Sequence, residues 1–509
     1  MNELASNILD TARGLAPELI LLAVGTLLVL WGSYASVVSA EARKNSRGKS
    51  LFFGATGLIA AMLAYWVWPP AQVSVDPARM AFLNDNLAHV LRPAGLLVGL
   101  ALLVFTAEQL HPRYAAEQIA CLLFIVAGTN LVASSNDLIA LFVSLELVSI
   151  PTYILLYLSR NDTAALEATA KYFLLSIFSS AFVLYGLSIF MGSAGSTNFV
   201  WLKHSLLEPT GMVSVGLLKI AVAMTVAGLG FRITAVPFHY YAPDVFQGTS
   251  TAMAGLLSVL PKIVGFAALL RLIWSIVLSD GVNPAFASLA GPAPEVLATL
   301  AIVTMTLGNV LALLQTDLRR LLAYSSVAHA GYMLVGLAVL PGASGQFTGI
   351  QAVLFYLIVY STMTLGVFGT ILLLRKNGKP IETINDFDGL GSTSPLLALV
   401  LAVFLFSLTG LPPTGGFWGK FNLFLAAWST NAPLMRLLAV GLALNAAIAG
   451  WYYLRLVRRA FLHPHAGAVA VSAERPLLLS SVVLVCAVAI LGLFFFPDPL
   501  WQFVAQAKS

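Results

Sequence analysis

Fourteen long apolar runs dominate this chain, and each approaches or exceeds the roughly 20 residues that a helix needs to cross a bilayer. They cover approximately residues 19–38, 51–68, 90–107, 119–133, 138–158, 168–191, 212–236, 252–278, 296–314, 321–340, 350–374, 396–428, 434–457 and 477–496. Lipid offers no water to satisfy a bare N–H or C=O, so only helices or a closed barrel can span it. The runs lack strand-type alternation and far exceed the roughly ten residues of a barrel strand, which leaves helices. Charge agrees with this reading. Only 10% of the residues are Asp, Glu, Lys or Arg, against about 25% in soluble domains, too few to cover a water-facing surface. An all-α polytopic membrane protein is expected, with no soluble domain, because the longest connections, near 192–211 and 458–476, are too short to form one.

The side-chain inventory narrows the function. Cys121 and Cys486 lie in apolar stretches, far from any CxxC or Cys/His spacing that holds zinc, an iron–sulfur cluster or a disulfide framework. No cofactor is expected in this chain. Neither a GxGxxG nor a GxxxxGKS/T string is present, which argues against nucleotide binding. The net charge of +5 resides in loops and forms no stripe suited to nucleic acid. The opening MNELASNILDTARGLAPE has acids but no basic stretch, unlike a cleaved signal peptide.

Orientation follows from the loop cations. With the N-terminus outside, fifteen of the 27 Lys and Arg fall in inner loops, among them Arg43, Lys44, Arg47, Lys49, Arg458, Arg459 and Arg475. Six fall at or beyond the outer ends of the spans (Arg13, Arg79, Arg92, Lys203, Arg436 and Lys508), and six lie deeper within spans. Both termini are expected on the outer side. An internal echo adds a duplication: LEATAKYFLLSIFSSAFVLYG around span six resembles GIQAVLFYLIVYSTMTLGVFG around span eleven. The displacement of five spans is odd, so the copies run in opposite directions, as in transporters built from inverted repeats.

Ionisable groups inside spans are the informative residues, since each costs about 2.5–3.5 kcal/mol at mid-helix on insertion scales. Glu146, Lys171, Lys219, Arg232, Lys262, Arg271, His329 and Lys420 are of this kind, with Glu146 the only acid among them. A buried cation is its natural partner. Lys262 follows Pro261, and Lys420 follows the Pro-Pro and Gly-Gly of GLPPTGGFWGK, so both lysines sit beside disrupted helix. Unpaired backbone at membrane depth is tolerated only where it lines a cavity. Lysine also sheds its proton readily on burial, which suits a relay. A second break, in GFRITAVPFHYYAPD with Arg232, Pro237 and His239, lies in span seven, five spans before the break in span twelve. His329, beside Ser325 and Ser326, titrates near neutrality and is placed to pass a proton, or serves as a hydrogen-bonded structural histidine. Lys171 follows Glu167 by four and reads as a surface pair or a second-rank site, and His239 is also second-rank. Lys219 and Arg271 are expected to snorkel to the outer surface.

With these residues laid out, the stretch from about 119 to 460 resembles the antiporter-like subunits of respiratory complex I, and most closely their N-type group. The strings are LELVSIPTYIL, GLGFRITAVPFHYYAPDVFQGTS, SVLPKIVGF, TDLRRLLAYSSVAHAGYMLVGL and LTGLPPTGGFWGKF. The resemblance implies about 14 transmembrane helices, with inverted five-helix repeats of helices 4–8 and 9–13 and breaks in helices 7 and 12. The corresponding domains are residues 1–117, 118–280, 281–460 and 461–509. It further implies that Glu146 modulates a basic partner on helix seven, Lys262 is the central proton acceptor, His329 bridges and Lys420 serves the exit side. NADH, FMN, iron–sulfur clusters and quinone would belong to partner subunits. The neighbouring M-type subunit, small membrane subunits and the bilayer of the bacterial inner membrane would be the partners. Lys420 argues against the M-type group, which has glutamate there, and an end a dozen residues after the last span fits the N-type.

Three departures stand out: Arg232 replaces the family's helix-seven lysine, Tyr241 replaces a tryptophan and Ser250 a proline. Arginine keeps its proton at any working pH, so Arg232 is expected to bias neighbours electrostatically, and lysine at this position to support comparable pumping. Two other readings are an Mrp-type cation/proton antiporter subunit and a structural scaffold whose ion pairs are idle.

Overall fold

In a computed structural model, the structure describes residues 11–38, 46–67, 77, 80–111, 113–160, 162–207, 215–276, 293–339, 348–376, 378–430, 432–463, 471–473 and 476–506. Of the loop cations, Arg43, Lys44, Arg79, Arg475 and Lys508 lie outside these residues, as do residues 1–10 and the expected boundary at 280/281. The described chain is overwhelmingly helical, and twelve of its helices are long and apolar enough to cross a membrane. The expected spans seven and twelve are each interrupted.

Helices α1 (Ala16–Val38), α2 (Ser46–Val67), α3 (Asn86–Glu108), α4 (Ala115–Ser134), α5 (Leu138–Ser159), α6 (Thr163–Ala194), α7 (Phe199–Leu207) and α8 (Val215–Arg232) come first. After α8 the chain leaves the helix for nine residues and resumes in α9 (Ala242–Gly248), α10 (Thr251–Ile276), α11 (Ala293–Leu313), α12 (Leu318–Val339) and α13 (Gly349–Leu373). Then follow α14 (Leu390–Thr393), α15 (Pro395–Thr409), α16 (Gly415–Trp428), α17 (Pro433–Leu462), α18 (Leu477–Phe495) and α19 (Asp498–Ala505). Pro237 explains part of the first break, because it lacks an N–H and pushes the preceding residue out of the α region. The second break starts at Gly410, whose φ of 90° closes α15. The N–H groups of Leu411 and Gly410 turn back to Phe406 O and Ser407 O at 3.0 Å, a Schellman-type end. Val236–Pro237 and Pro412–Pro413, one in each break, are cis.

Among the described residues, strand structure, which the sequence did not lead us to expect, forms one small sheet. β1 (Leu374–Lys376) pairs antiparallel with β2 (Lys379–Pro380) and with β3 (Val471–Ala473). Gly378, at φ 72°, makes the hairpin turn. These segments lie between spans and are too short for apolar periodicity to register; pairing satisfies their backbone.

Packing divides the chain into two units, Met1–Arg232 with Ile263–Pro292, and Ile233–Lys262 with Ala293–Lys508. In the first, α6 and α8 meet backbone to backbone: a Cβ on Gly228 would lie 2.6 Å from Ser179 O, and one on Gly186 2.7 Å from Ala221 O. Ser179 Oγ donates to Gly228 O at 2.7 Å across this seam. The same unit holds two ion pairs that sequence reasoning placed wrongly. Arg92, assigned to an outer segment, is 2% exposed and forks onto Glu18, with Nε to Oε1 at 2.9 Å and Nη2 to Oε2 at 2.6 Å. Glu146 is therefore not the only acid inside a span. Arg271, expected to snorkel, is instead buried: Nη2 donates to Asp85 Oδ1 at 2.7 Å and Nε to Ala133 O at 2.8 Å.

In the second unit, α11 and α12 interlock through Gly308 and Gly331, where a Cβ would come 2.6 Å from Ala328 N and 2.5 Å from Met305 N respectively. Those contacts are to backbone, which cannot rotate away, so overpacking here exceeds the usual cost of about 1–3 kcal/mol. Gly331→Val is expected to remove most folded subunit from membranes. Gly492→Val, where a Cβ meets nothing within 4 Å, should accumulate normally. Immunoblotting of the two variants in isolated membranes checks this.

Candidate functional site

In the first unit the chemistry gathers on α5, α6 and the end of α8. Asp137 starts α5 by accepting from Ile139 N at 2.8 Å and Ala140 N at 3.1 Å. Glu146, in the third turn of α5, meets Arg232, the last residue of α8, with Nη2 to Oε1 at 3.4 Å. Arg232 also donates through Nη1 to Ser149 Oγ at 2.8 Å and Leu145 O at 3.3 Å, and Ser180 Oγ donates to Glu146 Oε1 at 2.5 Å. Arg232 is 7% exposed and Glu146 25%. A cleft of about 380 Å³, lined by Phe142, Tyr153, Ser176, Ser180 and Leu184, opens beside the carboxylate.

The two amino groups of Arg232 thus serve different partners, which reverses the expectation for Arg232→Lys. An ammonium is a point donor on a flexible stem and cannot span Glu146, Ser149 and Leu145 O as the planar fork does. Hydrogen bonds to charged groups are worth about 1.5–3 kcal/mol each, so the lysine variant is expected to lose most activity. The carboxylate and guanidinium should also be coupled. Glu146→Gln and Arg232→Gln singly leave the remaining charge without its counter-ion, whereas the double variant should recover about 1–3 kcal/mol of the summed loss. Thermal denaturation of the two singles and the double measures that term, and simple additivity would mean no interaction.

In the second unit, Lys262 on α10 is fully buried. Its Nζ donates to Ser326 Oγ on α12 and to Thr234 Oγ1, in the break after α8, at 3.3 Å. Tyr360 OH on α13 lies 3.1 Å from Ser326 Oγ and 3.2 Å from Ser258 O, and its ring centroid is 5.7 Å from Nζ. His329, one turn along α12 from Ser326 and fully buried, bonds Tyr356 OH through Nδ1 at 2.5 Å and Tyr453 OH through Nε2 at 3.1 Å. Tyr453 in turn bonds Ser325. The His329 ring stands 5.0 Å from that of Tyr360 and 5.5 Å from that of Tyr332.

Lys420 completes the row. The break between α15 and α16 presents Leu408 O and Thr409 O, which accept from Nζ at 2.8 and 2.9 Å, and the Tyr332 ring lies 4.6 Å from the ammonium. Tyr332 OH accepts from Asn309 Nδ2 at 2.9 Å, and Asn309 is itself tied to Asn445 and Tyr452. The lysine stem needs Gly410 beneath it, because a Cβ there would lie 2.9 Å from Cδ.

The structure therefore brings Glu146 together with Arg232, and gathers Lys262, His329 and Lys420 among hydroxyl groups of one unit. It does not bring in the two second-rank residues. Lys171 forms its 2.7 Å pair with Glu167 on an open face, and His239 is half-buried within the break itself, its Nδ1 without a hydrogen bond. Lys219 is exposed. Sequence reasoning missed the tyrosines and the Asn309–Asn445 pair. Their one sequence signal was the recurrence of polar-tipped aromatics inside spans, as in Tyr356 with Tyr360 and Tyr452 with Tyr453.

Buried cations at two helix breaks on a polytopic helical scaffold agree with a family match across residues 135–444, to the membrane family described as NADH:quinone oxidoreductase/Mrp antiporter. The chain belongs to this family. Among antiporter-family relatives, NADH-quinone oxidoreductase subunit N of Trichlorobacter lovleyi is 36% identical over 96% of both chains. A chain in the structure of respiratory complex I from Thermus thermophilus is similar at 30% identity and a TM-score of 0.74, covering 96% of this chain and 98% of that one. A chain of the Mrp complex from Dietzia sp. DQ12-45-1b reaches a TM-score of 0.79 at 20% identity, covering 98% of this chain and 97% of that one. At that identity the likeness shows a shared fold only.

Proposed function

We propose that this chain is the proton-translocating, antiporter-like membrane subunit of a bacterial NADH:quinone oxidoreductase, driven by redox chemistry in other subunits. The observation that carries the reading is the pairing of two buried lysines with two helix breaks, Lys262 with Thr234 and Lys420 with Leu408 O and Thr409 O, and His329 in the same unit. A buried ammonium held by neutral groups, with no carboxylate against it among the described residues, is a group that can exchange its proton. Lys262 would accept, His329 with Tyr356 and Tyr453 would bridge, and Lys420 would pass the proton on. The tyrosine rings interpose between these groups, so transfer across them needs a side-chain rotation or a water molecule. Glu146 and Arg232 would bias the relay without releasing a proton from the guanidinium.

In this reading NADH, FMN, the iron–sulfur clusters and quinone reside in partner subunits. An M-type antiporter-like neighbour and small membrane subunits flank the chain in the inner membrane. Both termini face outward, and two inverted five-helix repeats contain the two breaks. Lys171 is left out of the relay because its surface pair accounts for it. The higher identity to relatives from complex I favours this reading over an Mrp-type antiporter. Purification of the tagged chain from native membranes tests it: partners with flavin and iron–sulfur absorbance and NADH-driven acidification of vesicles are expected. Cation/proton exchange without NADH, and no such absorbance, would point to the antiporter instead.

A further inference from the structure

Thr234 is the only non-glycine with positive φ among the described residues, at 60°. A β-branched side chain is a poor occupant of the left-handed region, where glycine or asparagine would fit with less strain. Such a residue persists where the surroundings over-determine it, and it costs about 1–3 kcal/mol. Backbone preference therefore does not account for threonine here, whereas its side chain does have a partner. Thr234 is 4% exposed, and its hydroxyl donates to Ile233 O at 2.6 Å. That commits the hydroxyl hydrogen and leaves the oxygen lone pairs to accept from Lys262 Nζ at 3.3 Å. The next turn is pinned as well, since Val236 N donates to Thr304 Oγ1 on α11 at 3.2 Å.

We propose that Thr234 is a positioning residue for Lys262: the strained backbone of the break aims a hydroxyl acceptor at the ammonium, so that Nζ is held between Thr234 and Ser326. The proposal rests on the relay role of Lys262. Without Thr234 the ammonium keeps only the Ser326 acceptor, and its long stem regains rotamer freedom, so the amine spends less time aligned for transfer.

The test compares NADH-driven pumping by reconstituted complex carrying Thr234→Ser, Thr234→Val and Thr234→Ala, with Lys262→Ala as reference, each normalised to assembled complex. Serine keeps the acceptor and loses a methyl group; valine keeps the shape and loses the acceptor. A positioning role predicts pumping within about twofold of native for serine, and a loss of more than about tenfold for valine, the scale of one hydrogen bond to a charged group. A packing role predicts the opposite order. Alanine, also without the hydroxyl and less strained than valine, should match the valine loss and serves if the valine chain does not assemble. Native pumping by either hydroxyl-free variant, while Lys262→Ala is inactive, overturns the positioning role alone. Native pumping by Lys262→Ala overturns the relay reading and this proposal with it.

Discussion

Alanine at Lys262 is expected to lower proton pumping and coupled electron transfer by about a hundredfold or more, the lower end of what loss of a positioned proton-transfer group costs, while the complex still assembles. The reason assembly survives is local. Lys262 donates only to side-chain hydroxyls, Thr234 Oγ1 and Ser326 Oγ, and each keeps another partner, Ile233 O and Tyr360 OH respectively. Removal of the ammonium leaves no carboxylate unpaired and deletes a thin side chain from the interior. Pumping by inverted vesicles, together with the content of assembled complex on native gels, checks both halves of the expectation.

Alanine at Lys420 should behave differently, losing stability as well as pumping. Its Nζ donates to Leu408 O and Thr409 O, backbone carbonyls at the end of α15 that the break leaves without helical donors. A buried acceptor left bare costs about 1–3 kcal/mol, and a lost bond to a charged donor about as much. The lysine also bridges the break itself, from α16 to α15. Lys420→Ala is expected to lower the thermal midpoint of the complex and to abolish most pumping, whereas Lys420→Arg restores a donor for the carbonyls and should recover stability without pumping. Equal thermal midpoints for native and alanine chains would show that the carbonyls find other donors.

What could be read without coordinates follows from the severity of lipid as a solvent. Long apolar runs mean helices, and proline and glycine pairs such as Pro412-Pro413 and Gly415-Gly416 mean a break, because an unsatisfied backbone has no alternative there. The same severity singled out Glu146, Arg232, Lys262, His329 and Lys420 as residues needing company. What the sequence could not supply was the identity of that company. Arg92 finds Glu18, and Arg271 finds Asp85, across 74 and 186 residues of chain. A cation near a span end has snorkelling as its default, and only tertiary packing overrides it. The tyrosines around His329 were hidden for a different reason: inside an apolar run a tyrosine reads as one more aromatic until the hydroxyl has a partner. Thr234 was hidden because strain at a single φ leaves no trace in composition or periodicity.

The central claim is that Lys262 works by changing its protonation state, and Lys262→Arg isolates that claim from the charge itself. Arginine fills a similar volume and donates to the same hydroxyls, but its guanidinium does not deprotonate in proteins. The measurement is the number of protons moved per NADH oxidised by purified complex in proteoliposomes, native against Lys262→Arg. A relay through this amine predicts assembled complex with a lower ratio, or with oxidation and pumping lost together, close to the values for Lys262→Ala. A native ratio at a native rate from the arginine chain would mean that a fixed positive charge suffices at this position and would contradict the account.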